Sequence, residues 1–173
     1  MRTTLEKNLQ KTNNIIFRKI ASGDEIRGKE FIKDLVKENT PLGLNSENAK
    51  TFFQGLYFAQ EKHPENVNVQ IILHNNKIIG FVNVIREHEL VGKVGIAIAK
   101  EHRRKGIGTA ALQRIEIIAR QMGFKGLIAK ISAANTASVK LFSKNGYREL
   151  CEIPEAKRYK GKIYGEKIYY KKI

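Results

Sequence analysis

Two hydrophobic periods organise this chain, and the change from one to the other falls in residues 91–122. Val94 to Ala99 is an unbroken run of apolar residues and glycine, which predicts a strand. From Ala111 the period lengthens. Ala111, Leu112, Ile115, Ile118, Ala119 and Met122 recur every three or four positions, predicting an amphipathic helix from about Gly106 to Met122. Between strand and helix lies a basic glycine loop, Arg103 to Thr109.

The rest of the chain divides by the same two periods. Ile15 to Ile20 predicts a strand, and Asp24 is the expected N-cap of a helix carrying Ile26, Phe31, Ile32, Leu35 and Val36. Pro41 and Gly43 break the pattern, and a second helix is expected from about Ser46, with Phe52, Phe53, Leu56, Tyr57 and Phe58 on its apolar side. Val67–Leu73 and Ile78–Ile85 predict strands joined at hairpin distance through Asn75, Asn76 and Lys77, with Glu87, His88 and Glu89 forming the next turn. Leu127–Ile131 predicts another strand. Asn135 is placed to cap a helix that turns Val139, Leu141 and Phe142 inward and ends at Asn145-Gly146. Tyr147–Ile153 and Ile163–Ile173 predict two closing strands, with a break after Pro154. The expected organisation is a polar extension over residues 1–14 and one domain over 15–173.

Composition narrows the classes. Of 173 residues, 42% are hydrophobic and 28% charged, which describes a globular chain with a real core. No apolar run approaches the ~20 residues that span a bilayer, and residues 1–14 lack a signal-peptide pattern, so no membrane association is expected. The lone Cys151 excludes an internal disulfide and fits a reducing cytoplasmic setting; its strand context predicts a packed small hydrophobe. No His, Cys or carboxylate spacing matches a metal site, so no metal is expected. Lys and Arg outnumber Asp and Glu 32 to 17, giving a net charge of +15. That balance favours polyanions, whether nucleic acid, an anionic membrane surface or a phosphate-rich cofactor, without choosing among them.

The glycine loop carries the clearest chemistry. A strand feeding a helix N-terminus brings free backbone N–H groups and the positive end of the helix dipole to one place, which suits phosphate. Gly106 and Gly108 permit close approach and positive φ, and Arg103, Arg104 and Lys105 add charge. The spacing does not fit a P-loop. Nor does the dinucleotide fingerprint find its acidic residue, since none lies in 126–134.

The pattern Arg103-x-x-Gly106-x-Gly108 between a strand and a long helix resembles the acyl-CoA signature of the GNAT acetyltransferase superfamily. A second block, Asn135, Ser138, Leu141-Phe142 and Lys144-Asn145-Gly146-Tyr147, is similar to that family's downstream motif. The resemblance implies a mixed α/β fold in the order β-α-α-β-β-β-α-β-α-β-β, with a central, mostly antiparallel sheet and about four helices. It also implies transfer of acetyl from acetyl-CoA to an amine by direct attack in a ternary complex. Backbone at Ile96, Ala97 and Ile98 would pair with the pantetheine arm. The loop Arg103, Arg104, Lys105, Gly106, Ile107, Gly108 and Thr109 would hold the pyrophosphate, while Asn135 and Phe142 would line the arm's path.

Two positions depart from the family pattern. Phe142 stands where many members carry an acid-donating tyrosine, and Lys93 where many carry a glutamate. Glu89 is the expected base, with Glu87 and His88 beside it at the strand entrance; His102 is expected to pack. The acceptor class stays open among a small amine, a polyamine and a protein amine, and a homodimer is compatible with the family. The alternative is a basic CoA-sensing or nucleic-acid- or ribosome-binding protein on the same fold, without turnover.

Overall fold

A computed structural model describes residues 14–38 and 51–173. The polar extension up to residue 13, the break at Pro41 and Gly43 and the expected helix start near Ser46 lie outside the described residues. The elements are β1 (Ile15–Lys19), α1 (Asp24–Lys37), α2 (Phe52–Lys62), β2 (Val67–His74), β3 (Lys77–His88) and β4 (Val91–Ile98), then α3 (Ile107–Gln121), β5 (Gly126–Ser132), α4 (Thr136–Lys144), β6 (Arg148–Tyr159) and β7 (Lys162–Lys172). The expected element order is the observed one. A single seven-stranded sheet runs β1-β2-β3-β4-β5-β7-β6, antiparallel at every junction except the parallel β4–β5 pair.

Strand alternation gives the sheet two covered faces. Even positions of β3 and β4 (Val82, Val84, Val94) join Ala111, Leu112, Ile115 and Ala119 of α3 and Phe142 of α4 in one core. Phe81 and Ala97, of odd parity, join Phe31, Ile32 and Leu35 of α1 and Phe53 and Leu56 of α2 in the other. The buried Gln60 stitches α2 to the sheet, accepting from Val69 N at 2.7 Å and donating to Ile20 O at 3.3 Å. Asn75 and Asn76 have φ of 49° and 62°, the left-handed pair that a two-residue hairpin turn demands.

Four local expectations are corrected. Gly23, with φ 88°, is the N-cap of α1, and Asp24 is its first residue. The Asp24 carboxylate accepts from Ala21 N at 2.8 Å and forms a two-pronged pair with Arg18 at 2.7 and 2.8 Å. Burial pushes its pKa up, but these donors outweigh burial and hold it below the usual range. β3 continues through His88, with its register shifting between Arg86 and His88. The turn is therefore shorter than expected. Pro154 does not end a strand; β6 is the sheet edge, where a missing N–H removes no ladder bond, and Pro154 falls in a bulge between Ile153 and Lys157. Cys151 is exposed rather than packed, as β6 is on both faces along nearly its whole length.

Candidate active site: a cleft through the sheet

β4 and β5 pair for only three residues, Val91↔Gly126, Gly92↔Leu127 and Lys93↔Ile128, and then part. From Val94 to Ile98, β4 keeps its partner β3 on one side and, among the described residues, has no strand on the other. An open strand edge presents N–H and C=O groups to whatever enters. Ile96, Ala97 and Ile98 line the resulting cavity of about 430 Å³, together with Arg103, Gly106, Thr109, Asn135 and Leu141. The Ile98 carbonyl is already taken by Arg103 Nε at 2.7 Å.

The loop at the head of this cavity is a row of unused donors. The first helical bond of α3 is Ala110 N to Gly106 O. Among the described residues none of the amides from Arg104 to Thr109 has an acceptor, and α3 has no side-chain cap. Arg104 (φ 61°) and Gly106 (φ 80°) both adopt left-handed backbone, turning the loop into a concave nest of N–H groups at the positive end of a 15-residue helix. Pyrophosphate is the ligand chemistry such a nest fits. Gly106 and Gly108 differ. A Cβ at Gly106 would meet nothing within 4 Å, so what glycine supplies there is the backbone angle. Gly108 is ordinary helix, which corrects the expected positive φ, and its added Cβ would press on both Leu141 methyls at 3.1 Å. Ile107 is buried in the core, leaving only its amide for a ligand, and Lys105 is exposed and does not line the cavity. Arg103 works partly as a brace. Its Nη2 binds Glu38 at 2.5 Å, and Glu38 also accepts from Lys100 N, tying the loop to the end of α1.

Asn135 caps α4 as expected, its Oδ1 accepting from Ser138 N at 3.1 Å, and its Nδ2 has no partner among the described residues. Beyond Asn135 the cleft continues as a second cavity of about 280 Å³, which shares Ile96, Ala97, Asn135 and Ser138 with the first. This second part opens toward the α1–α2 face and is lined by Phe52, Phe81, Asn83, Lys130, Lys157 and Glu166, among others. At the vertex of the split, the Glu87 carboxylate binds Lys93 of β4 at 2.9 Å and Lys130 of β5 at 2.5 Å. The hydrogen bonds from Lys130 and Lys93 hold its pKa down to about 2.

The geometry meets its relatives here. The family described as "Acetyltransferase (GNAT) family" matches residues 29–147. The chain belongs to the GNAT acetyltransferase family. A Bacillus subtilis (strain 168) protein, "Putative phosphinothricin acetyltransferase YwnH", is 37% identical over 81 residues, a match spanning 44% of this chain and 50% of that protein. Among solved structures, a GNAT-family acetyltransferase from Streptococcus pneumoniae superposes with a TM-score of 0.78 at 20% identity, covering 92% of this chain and all of that one. The Salmonella typhimurium acetyltransferase YncA, solved with acetyl-CoA, gives a TM-score of 0.78 at 17% identity, covering 92% and 94% of the two chains. RimL, a ribosomal L7/L12 alpha-N-protein acetyltransferase solved with CoA, gives 0.79 at 14% identity, covering 94% and 96%. At these identities the structural likeness is one of fold.

The acid–base residues expected from the sequence are not brought together in this GNAT cleft. Glu89 and His88 are exposed at the β3–β4 turn, and the paired stretch Val91–Lys93 separates them from the cleft. Arg86 donates to the Glu89 backbone carbonyl, which fixes that turn. Glu87 is held as a carboxylate by two lysines, a poor proton acceptor. His102 packs its ring edge-on to His74 at 5.2 Å, as expected of a packing residue, and burial lowers its pKa. Phe142 does line the second cavity, and its ring meets Tyr147 at 4.9 Å and 86°. Tyr147 offers no substitute acid. Burial, reinforced by Glu116, pushes its pKa up, its hydroxyl makes no hydrogen bond within ordinary distance among the described residues, and it lines neither cavity. Sequence reasoning missed Asn83, Lys130, Lys157 and Glu166. Lys130 and Glu166 share a face only through the register of β5 on β7, Lys130↔Ile168 and Ser132↔Glu166, and nothing local in the sequence marks that.

Proposed function

We propose that the protein transfers the acetyl group of acetyl-CoA to an amine by direct attack within a ternary complex. The observation that carries this reading is the continuity of the cleft: six unpaired amides at its head, an open strand edge along it, and a charged cavity beyond Asn135. The amides Arg104 to Thr109 would hold the pyrophosphate, the β4 edge at Ile96 and Ala97 the amide-bearing arm, and Asn135 Nδ2 a carbonyl of that arm. The acetyl thioester supplies an activated carbonyl, and the acceptor enters from the α1–α2 face. With Phe142 in place of an acid, the sulfur leaves unassisted, which a thiol of ordinary pKa, about 8.5, tolerates near neutrality. The acceptor cavity is small and mixed in charge, which suits a small amine or one protruding protein amine. The name borne by the Bacillus relative and the ribosomal activity of RimL point to these two kinds of acceptor.

The test is release of CoA thiol on mixing acetyl-CoA with spermidine, an α-amino acid, lysine and a peptide with a free N-terminus, each in turn. Transfer to at least one supports the reading. Tight acetyl-CoA binding with no transfer to any would favour a sensing role. Salt-sensitive binding of a short RNA duplex without acetyl-CoA binding would favour a nucleic-acid-binding role.

A further inference from the structure

We infer that Glu166 is the catalytic residue on the acceptor side: it receives the acceptor's ammonium in exchange for Lys157 and takes the proton whose removal frees the nitrogen lone pair. This rests on the acetyltransferase reading above. Glu166 is the single carboxylate among the described residues lining the cleft; every other charged lining residue is a lysine or an arginine. It stands on β7 opposite Ser132 of β5 and Ile153 of β6, on the face reached through the split between β4 and β5.

The arrangement around Glu166 is built by the irregularity in β6. In unbroken register from Ile153↔Glu166, Lys157 would lie opposite Lys162, two residues further from Glu166 than its observed partner Tyr164. The bulge at Pro154–Ala156, with Glu155 at φ 51°, consumes two residues of β6 and carries Lys157 back to Glu166, where Nζ meets Oε1 at 3.0 Å. Re-aiming a side chain beside a site is a common use of a bulge. The Glu166 side chain is 15% exposed and that of Lys157 45%. An ion pair whose cation is half in water is worth little net, so an entering ammonium displaces Lys157 at small cost.

The other charged groups near Glu166 are accounted for. On its own face Lys130 of β5 is committed to Glu87, which also holds Lys93. Glu149, Glu152 and Lys167 pair with one another on the opposite face, Lys167 lying between Glu166 and Ile168 in the strand alternation. The step balances. A proton passes from the ammonium to a Glu166 oxygen. The neutral nitrogen forms its bond to the acetyl carbon while the carbon–sulfur bond breaks, its electron pair leaving on sulfur. The surplus proton on nitrogen ends on the thiolate, and Glu166 returns its proton to solvent.

The experiment compares wild type, Glu166→Gln, Glu166→Asp and Lys157→Met, using whichever amine of the panel above the wild type acetylates. Glu166→Gln is expected to lower kcat/KM about a hundredfold with acetyl-CoA affinity unchanged by calorimetry. It should also abolish the limb of the kcat/KM profile on the acid side of neutrality. Glu166→Asp keeps that limb at reduced rate and carries the test if the Gln variant does not fold. Lys157→Met removes the cation that the acceptor displaces and is expected to lower the KM for the amine several-fold. Full transfer by Glu166→Gln, an acid limb that persists in it, an Asp variant without the limb, or equal losses in the Glu166 and Lys157 variants would each overturn the assignment. Absence of transfer by the wild type would instead sink the acetyltransferase reading itself.

Discussion

The two ends of the cleft are made in different ways. The end proposed for acetyl-CoA is built from backbone: a strand edge without a neighbour among the described residues, a loop of unused amides and a helix N-terminus, all contributed by the continuous stretch Val91–Thr109 with Asn135 added. The end proposed for the acceptor is built from side chains of separate strands: Asn83 on β3, Lys130 on β5, Lys157 on β6 and Glu166 on β7. Backbone donors recognise a ligand whatever side chains surround them, so a donor site of this kind tolerates wide sequence change. A side-chain site can be re-specified one residue at a time. The difference is compatible with 14–20% identity coexisting with near-complete superposition on relatives of the same fold.

That contrast can be broken experimentally. The largest separation is expected for Glu166→Gln, which should cost about a hundredfold in transfer while leaving acetyl-CoA binding alone. An equal effect on binding would mean the two ends are not independent.

Next comes the pair of glycines. Gly108→Ala pushes Leu141 toward the donor cavity and should weaken acetyl-CoA binding about tenfold, ~1.4 kcal/mol, with little change in the melting temperature of the free protein. Gly106→Ala introduces no clash but imposes left-handed backbone on a residue with a Cβ, a cost of about 1–2 kcal/mol. For a chain of this size that is a fall in melting temperature of roughly 2–4 °C per kcal/mol. Calorimetry and melting on the same samples check both. The reverse assignment of the two effects would refute this account of the loop.

A smaller effect is expected at the vertex. The Glu87 carboxylate is held at about pKa 2 by Lys130 and Lys93, so its contribution to stability is complete above its unfolded value, about 4.3, and is lost as pH falls toward 2. Glu87→Gln should therefore flatten the fall in melting temperature between pH 5 and 2, by about 2–4 °C. An unchanged acid slope would show that the lysine clasp does not stabilise the split. The smallest change is expected of Phe142→Tyr. The ring lines the cavity and would carry its hydroxyl there, and kcat should rise less than about tenfold, below the usual yield of acid catalysis. A larger rise would mean that sulfur protonation limits the reaction.

The hydrophobic pattern by itself determined the element order, the two-faced core and the glycine loop at the junction of strand and helix. Each depends on residues close in sequence, where period and capping act directly. Asn135 as the cap of α4 belongs to the same class, since its partner Ser138 is three residues away. Only the tertiary structure decided where β4 and β5 part, that Gly108 lacks a positive φ, that Arg103 is tied to Glu38, and that Glu89 stands clear of the cleft. It alone joined Glu166 to Lys157 through a bulge on an edge strand and set both on a cavity that Asn135 also lines. Those relations depend on strand register, and register is fixed by packing between segments far apart in the chain. A one-residue slip would turn Glu166 to the opposite face without altering a single local signal.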